Sequence, residues 1–160
     1  MNTKILLGWK EYCALPRLRI PLIVAKIDTG ADTSCLHACN IEPFLEHGEK
    51  HVRFDTHPRR FDDDTSTTCI APVVDYRMIR SSNGDHEQRY IVETEMILGG
   101  NPYIIDISLT DRSELNFRML LGRQFLKGHS IVDVALSLQQ GKPNSQIYLD
   151  LCKKYEEHYA

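Results

Sequence analysis

Apolar and polar residues alternate along most of this chain with a period of two, the signature of strands whose faces meet a core on one side and solvent on the other. Residues 4–10 and 21–27 are predicted strands, separated by a loop around Leu15-Pro16-Arg17, with Gly8 as a bulge and Trp9 near the edge of the core. Residues 33–38 form another, with Thr33, Cys35 and His37 on one side and Ser34, Leu36 and Ala38 on the other, Leu36 facing inward. From Ile41 the pattern loosens. Pro43, Gly48, a short strand at residues 52–54, Pro58-Arg59-Arg60 and the acid triplet Asp62-Asp63-Asp64 read as an exposed connection, the triplet as a solvated loop rather than a calcium site.

Regularity returns at residues 73–79 and 90–98, which flank Ser81-Ser82-Asn83-Gly84, and Asn83-Gly84 is the strongest hairpin signal in the chain. Gly99-Gly100-Asn101-Pro102 turns the chain into residues 103–109, where Ile105, Ile107 and Leu109 share a face. Residues 117–121 are a buried run, residues 124–126 a helical turn, and residues 131–138 a last strand stopped by Gly141-Lys142-Pro143-Asn144. The tail places Tyr148, Leu151, Cys152, Tyr155 and Tyr159 at helical spacing behind Asn144 or Ser145 as cap, so its aromatic stripe packs on the body. The expectation is one all-β domain over residues 1–160, a core at about 4–138 and a helical tail at about 144–159.

Composition narrows the partners. A formal charge of −3 without a basic block argues against nucleic acid as the main one. Ile5-Leu6-Leu7 is too short for the apolar region of a signal peptide and no later run approaches a membrane span, so the expected setting is cytoplasmic, with no membrane partner. Five cysteines, an odd number at irregular spacing, read as thiols rather than a disulfide framework.

The chemistry concentrates at Ile27-Asp28-Thr29-Gly30-Ala31-Asp32, where an apolar run ends on a carboxylate. A carboxylate at the end of a buried strand must be paired, hydrogen-bonded or protonated, and such groups gather at functional sites. Alone, Asp-Thr-Gly also fits a strand ending in an Asx turn. A second signature lies downstream, Leu120-Leu121-Gly122-Arg123, and with it the chain resembles the retropepsin-like aspartic peptidases. Adding Gly8-Trp9-Lys10-Glu11, Thr33-Ser34, Leu36-His37-Ala38, Arg77, Ser81-Ser82-Asn83-Gly84, Arg89-Tyr90 and Leu109-Thr110-Asp111-Arg112, residues 8–133 look like the RimB family, whose members are often labelled ATP-dependent zinc proteases. Relatives commonly carry Ala at Cys35 and Arg at Asp32, and the latter difference moves this chain toward the viral pattern.

That resemblance implies a closed retropepsin-like barrel, one lobe per chain, with Asp28, Thr29 and Gly30 catalytic. It implies that Ala31, Asp32, Gly122 and Arg123 support the site, Asp32 and Arg123 meeting as a buried charge pair. Residues 77–90 would be the flap, with Arg77, Arg80, Ser82, Asn83, Gly84 and Arg89 near substrate. Aspartic-peptidase chemistry needs two carboxylates and the chain has a single Asp-Thr-Gly, so a homodimer sharing two copies of Asp28 is expected. RimB-like proteins are associated with RimK-type glutamate ligases, which implies a peptide or protein substrate such as a poly-glutamate tail.

No His-Glu-x-x-His occurs, and Cys35, His37 and Cys39 with distant Cys69 do not have zinc-knuckle spacing, so they read as buried thiols and a surface His, with no metal or other cofactor. Leu98-Gly99-Gly100-Asn101 lacks the Lys and Ser/Thr of a nucleotide loop, and ATP dependence would belong to a partner. Two alternatives stay open: a catalytically silent dimeric peptide- or partner-binding module, and a zinc-dependent hydrolase using Cys35, His37 and Cys39.

Overall fold

The computed structural model describes residues 3–59, 66–81 and 83–156; the acid triplet, Ser82 and Tyr159 lie outside them. In chain order the elements are β1 (Ile5–Leu7), β2 (Lys10–Leu15), a 3-10 turn (Pro16–Leu18), β3 (Ile20–Ile27), β4 (Ser34–His37), β5 (Cys39–Glu46), β6 (Glu49–Thr56), β7 (Thr67–Arg80), β8 (His86–Leu98), β9 (Asn101–Thr110), β10 (Met119–Leu121), α1 (Arg123–Leu126), β11 (Ser130–Val132) and α2 (Ser145–Lys153). Six strands close a barrel in the order β2-β3-β10-β4-β9-β8, and Ala14 opposite Ile97 shuts it. The sheet continues from β8 through β7 and β6 to β5, while β1 and β11 pair separately in parallel.

Alternation produces the core where it was clearest. On β9, Ile105, Ile107 and Leu109 are buried while Ile104 is exposed. Leu15, Ile20, Leu36, Met96 and Leu121 join them with no accessible surface. Each such side chain removed from water contributes about 1.5–3 kcal/mol before the ordering entropy is counted. Asn144 caps α2 by accepting from the Gln146 amide at 3.1 Å, and α2 packs Tyr148 and Cys152 onto the body. No helix among the described residues is long and apolar enough to cross a membrane.

Three stretches depart from the pattern. Residues 41–56, expected as a loose connection, form the β5–β6 hairpin, turned by His47 and Gly48, both at positive φ. Pro43 is tolerated there because β5 ends the sheet and needs no donor on its outer side. The expected first strand breaks at Gly8-Trp9, so Gly8 marks a join rather than a bulge, and residues 10–15, partly read as loop, make a barrel strand.

The third departure explains that break. Of residues 130–138 only Ser130–Val132 is a strand; the rest folds back as a strap across the N-terminal segment. Trp9 N–H donates to Leu136 O at 2.8 Å, Leu138 N–H to Lys10 O at 2.9 Å, and a Cβ on Gly8 would lie 2.3 Å from Leu136 O. The strap ends on Glu11, whose inaccessible carboxylate accepts the amides of Gly8, Gln139 and Gln140 at 2.6, 3.0 and 2.9 Å. Three charge-assisted bonds offset the cost of burying that charge.

Glu11→Ala is expected to lower unfolding free energy by roughly 3 kcal/mol or more, since each buried donor left without an acceptor costs about 1–3 kcal/mol. Glu11→Gln, which keeps one acceptor oxygen, should lose less. Urea midpoints at unchanged slope measure both, and equal midpoints for Glu11→Ala and wild type would remove the strap from the account of stability.

Candidate active site

Asp28 sits one residue past β3, where that strand runs parallel to β10 with Ile27 opposite Leu121. Its amide extends the ladder by donating to Leu121 O at 2.9 Å, and the preceding Ile27 amide donates to Trp9 O at 2.9 Å. The backbone carrying the carboxylate is thereby held from both sides. The chain then reverses, Ala31 N–H donating to Asp28 O at 3.2 Å and Gly30 N–H to Asp28 Oδ1 at 2.9 Å. A Cβ on Gly30 would press to 3.2 Å from that same Oδ1. Asp28 is half-buried, whereas Thr29 and Gly30 are exposed.

The second signature lies against this turn through its main chain. A Cβ on Gly122 would stand 2.9 Å from Ala31 O and Asp32 O, so only glycine allows the approach. The Gly122 amide donates to Ser34 Oγ at 3.1 Å; Arg123 N–H donates to Ala31 O at 2.8 Å and Gln124 N–H to Asp32 O at 2.9 Å. The turn's carbonyls thus take two amides that the start of α1 would otherwise leave unpaired.

Asp32 and Arg123 do approach, at 3.9 Å, but with side chains 64% and 53% exposed the contact is a surface one and not the expected buried pair. Such pairs contribute about 0–1 kcal/mol. Arg123 also donates to Thr29 O at 3.1 Å, and Gln124 Nε2 to Asp32 Oδ2 at 3.3 Å. Ser34 and Gln124 belong to the support as much as Asp32 does, and the sequence signalled neither role.

The hairpin expected as a flap is the free end of β7 and β8. There, residues 75–80 pair only with residues 86–91, and β9 joins β8 from Ile91 onward. Its tip closes with Ser81 N–H on Asp85 O at 2.7 Å and Gly84 N–H on Ser81 O at 3.0 Å, with Gly84 at φ 90°. Asn83 Oδ1 accepts from Ser81 Oγ and the Asp85 amide, so Asn83 and Gly84 build the turn.

Arg77 and Arg89 are cross-strand partners on the face toward β4. Arg77 reaches Thr33 Oγ1 at 3.1 Å and Asp75 at 2.9 Å, tying the arm to the residue just past the Asp28 turn. The Arg77 guanidinium and the Tyr76 amide hold the Asp75 carboxyl below its ordinary range. Arg89 differs from expectation: it is buried, with Nε on Glu87 at 3.1 Å and Nη1 3.7 Å from Cys35 Sγ, so it packs the arm's base rather than meeting substrate. Arg80 is exposed near the tip.

The grouping of Cys35, His37 and Cys39 that the zinc-hydrolase alternative would need is not the one the fold assembles. Cys69 is buried with its thiol donating to Leu18 O at 3.3 Å, and burial pushes that thiol's pKa up; Cys35 lies against Arg89. His37 is buried rather than on the surface, and it meets Cys39 and a residue not anticipated, His57. Only the pairing of β5 with β6 brings His57 back to that corner, so sequence spacing carried no sign of it.

The chain is 40% identical over 141 residues to a Shewanella pealeana protein named "Probable alpha-L-glutamate ligase", covering 88% of this chain and 31% of that protein. It is 39% identical over 143 residues to a Desulfotalea psychrophila protein of the same name, covering 89% and 31%. The chain thus spans about a third of the length of these curated relatives. Its fold matches a Legionella pneumophila protein of unknown function with a TM-score of 0.71 at 24% identity, covering 86% of this chain and 99% of that one. A family model described as "Retropepsin-like aspartic endopeptidase RimB" matches residues 6–143, and the chain therefore belongs to the RimB-like family.

Proposed function

We propose that the protein is an aspartic endopeptidase that works as a homodimer, each subunit contributing Asp28 across a twofold axis. One observation carries the reading: Asp28 is held by its backbone and at Oδ1 in a turn whose next residues, Thr29 and Gly30, are exposed. Among the described residues no protein hydrogen bond engages Asp28 Oδ2, which leaves that oxygen for water. Two such carboxylates share one proton, because like charges at hydrogen-bond distance do not both ionise cheaply. The ionised one draws a proton from water as the water attacks the peptide carbonyl, and the protonated one donates to the carbonyl oxygen. Thr29 would link the two turns, Gly30 would align the substrate backbone, and the β7–β8 arm would close over it.

The substrate class we propose is an acidic peptide, such as a glutamate tail made by a RimK-type ligase. Arg77 and Arg80 on the arm supply the positive charge, and the names of the relatives supply the biochemical setting.

Asp28→Asn is expected to sediment as a dimer and lose hydrolysis by about 10³-fold or more. Full activity in that variant would dismiss the mechanism. On poly-glutamate, Arg77→Ala should raise KM by about tenfold, the equivalent of about 1.4 kcal/mol. Cleavage of a neutral peptide of equal length should change little, and Arg77→Lys should recover part of the loss. Equal effects on both peptides would reassign Arg77 to holding the arm.

A further inference from the structure

We infer that His37, Cys39 and His57 form a site for a soft divalent transition metal, with zinc the fitting ion. The three come from the end of β4, the start of β5 and the residue following β6, so they converge through tertiary structure alone. Their ligand atoms all lie within 4.8 Å of one another. His37 Nε2 and His57 Nδ1 are 3.1 Å apart. Two imidazole nitrogens at about 2.0–2.1 Å from a tetrahedral zinc stand about 3.3 Å apart, so the pair needs only a small opening. A thiolate with two imidazoles is a donor set that zinc favours over magnesium or calcium, and it fills three of four tetrahedral positions.

The hydrogen bonds around His37 show what an ion would replace. The Arg112 amide donates to His37 Nδ1 at 2.8 Å, which puts the ring proton of neutral His37 on Nε2, directed at His57 Nδ1. One proton, bonded to His37 Nε2, therefore occupies the space in front of the His57 Nδ1 lone pair. When the metal takes that place, the His37 proton moves to Nδ1 and the Cys39 thiol releases its proton to solvent. An acceptor for the relocated proton is at hand: Asp111 Oδ1 lies 3.6 Å from Nδ1. Asp111 Oδ1 also accepts the Ser113 amide at 2.9 Å, which fixes the carboxylate beside the ring. A carboxylate behind a ligating imidazole is the usual second partner of a histidine–zinc bond. The Arg112 amide gives up its acceptor in the exchange and so reports it.

The site stands apart from the peptidase reading, being at the opposite end of β4 from the Asp28 turn, and would staple the β5–β6 hairpin to the barrel. The test uses the full chain without a histidine tag, titrated with Co²⁺ and, separately, dialysed against Zn²⁺ and analysed for metal. Expected are one ion per chain, a thiolate-to-cobalt charge-transfer band and a displaced Arg112 amide resonance. Cys39→Ser and His57→Gln should each weaken binding by at least tenfold, and Asp111→Asn by about 10-fold or more. Circular dichroism checks that each variant folds. Asp28→Asn should bind metal as wild type does, which keeps the outcome separate from that of the peptidase. Absence of the cobalt band in wild type, or an unchanged affinity in folded Cys39→Ser or His57→Gln, overturns the assignment and leaves an imidazole pair that serves packing alone.

Discussion

The carbonyls of Ala31 and Asp32 accept the amides of Arg123 and Gln124 at 2.8 and 2.9 Å, and this main-chain contact joins segments more than ninety residues apart in the sequence, Asp32 to Gln124 among them. Everything at Asp28 depends on it. It places Gly122 where no side chain fits and sets the Gly122 amide on Ser34, so the turn after β3 is shaped by the turn after β10. Because backbone groups make the contact, it is insensitive to salt and to side-chain rotamers, unlike the exposed Asp32–Arg123 pair. The charges on the surface of this site are secondary to peptide groups packed beneath them.

A second constraint feeds the first from the other end of the chain. Glu11 gathers the amides of Gly8, Gln139 and Gln140, which fixes the N-terminal segment against the strap. That segment in turn offers Trp9 O to the amide of Ile27, one residue before Asp28. A buried carboxylate on the neighbouring strand, Glu11 opposite Ala25, thus helps aim the strand that leads to Asp28. Part of the stiffness at the Asp28 turn is thus supplied by hydrogen bonds that do not touch its carboxylate.

How much of this was legible depended on the range of the interaction. The alternation of Ile105, Ile107 and Leu109, the Asn144 cap and both signature turns were readable because local spacing determines them. Residues 41–56 were misread because an edge strand escapes the rules for central strands: Pro43 and alternating charges look like a loop until one knows that β5 lies last in the sheet. Arg77 and Arg89 were equivalent in sequence, and only packing against Cys35 and Glu87 distinguishes the buried one. Glu11 stands beside Lys10 at the head of an apolar run, and two of its three partners lie 128 and 129 residues away. His57 carried none.

The position of Pro43 has a consequence for the molecule in a crowded solution. The closed part of the sheet has no edge to offer, so strand addition at the far end of the nine-stranded sheet falls on β5. There the proline presents no donor, and Asn40 at φ 52° breaks the regularity of the strand near its start. Copies of the protein are thereby discouraged from adding to one another along β5, the route by which the sheet would otherwise grow into an open-ended ribbon.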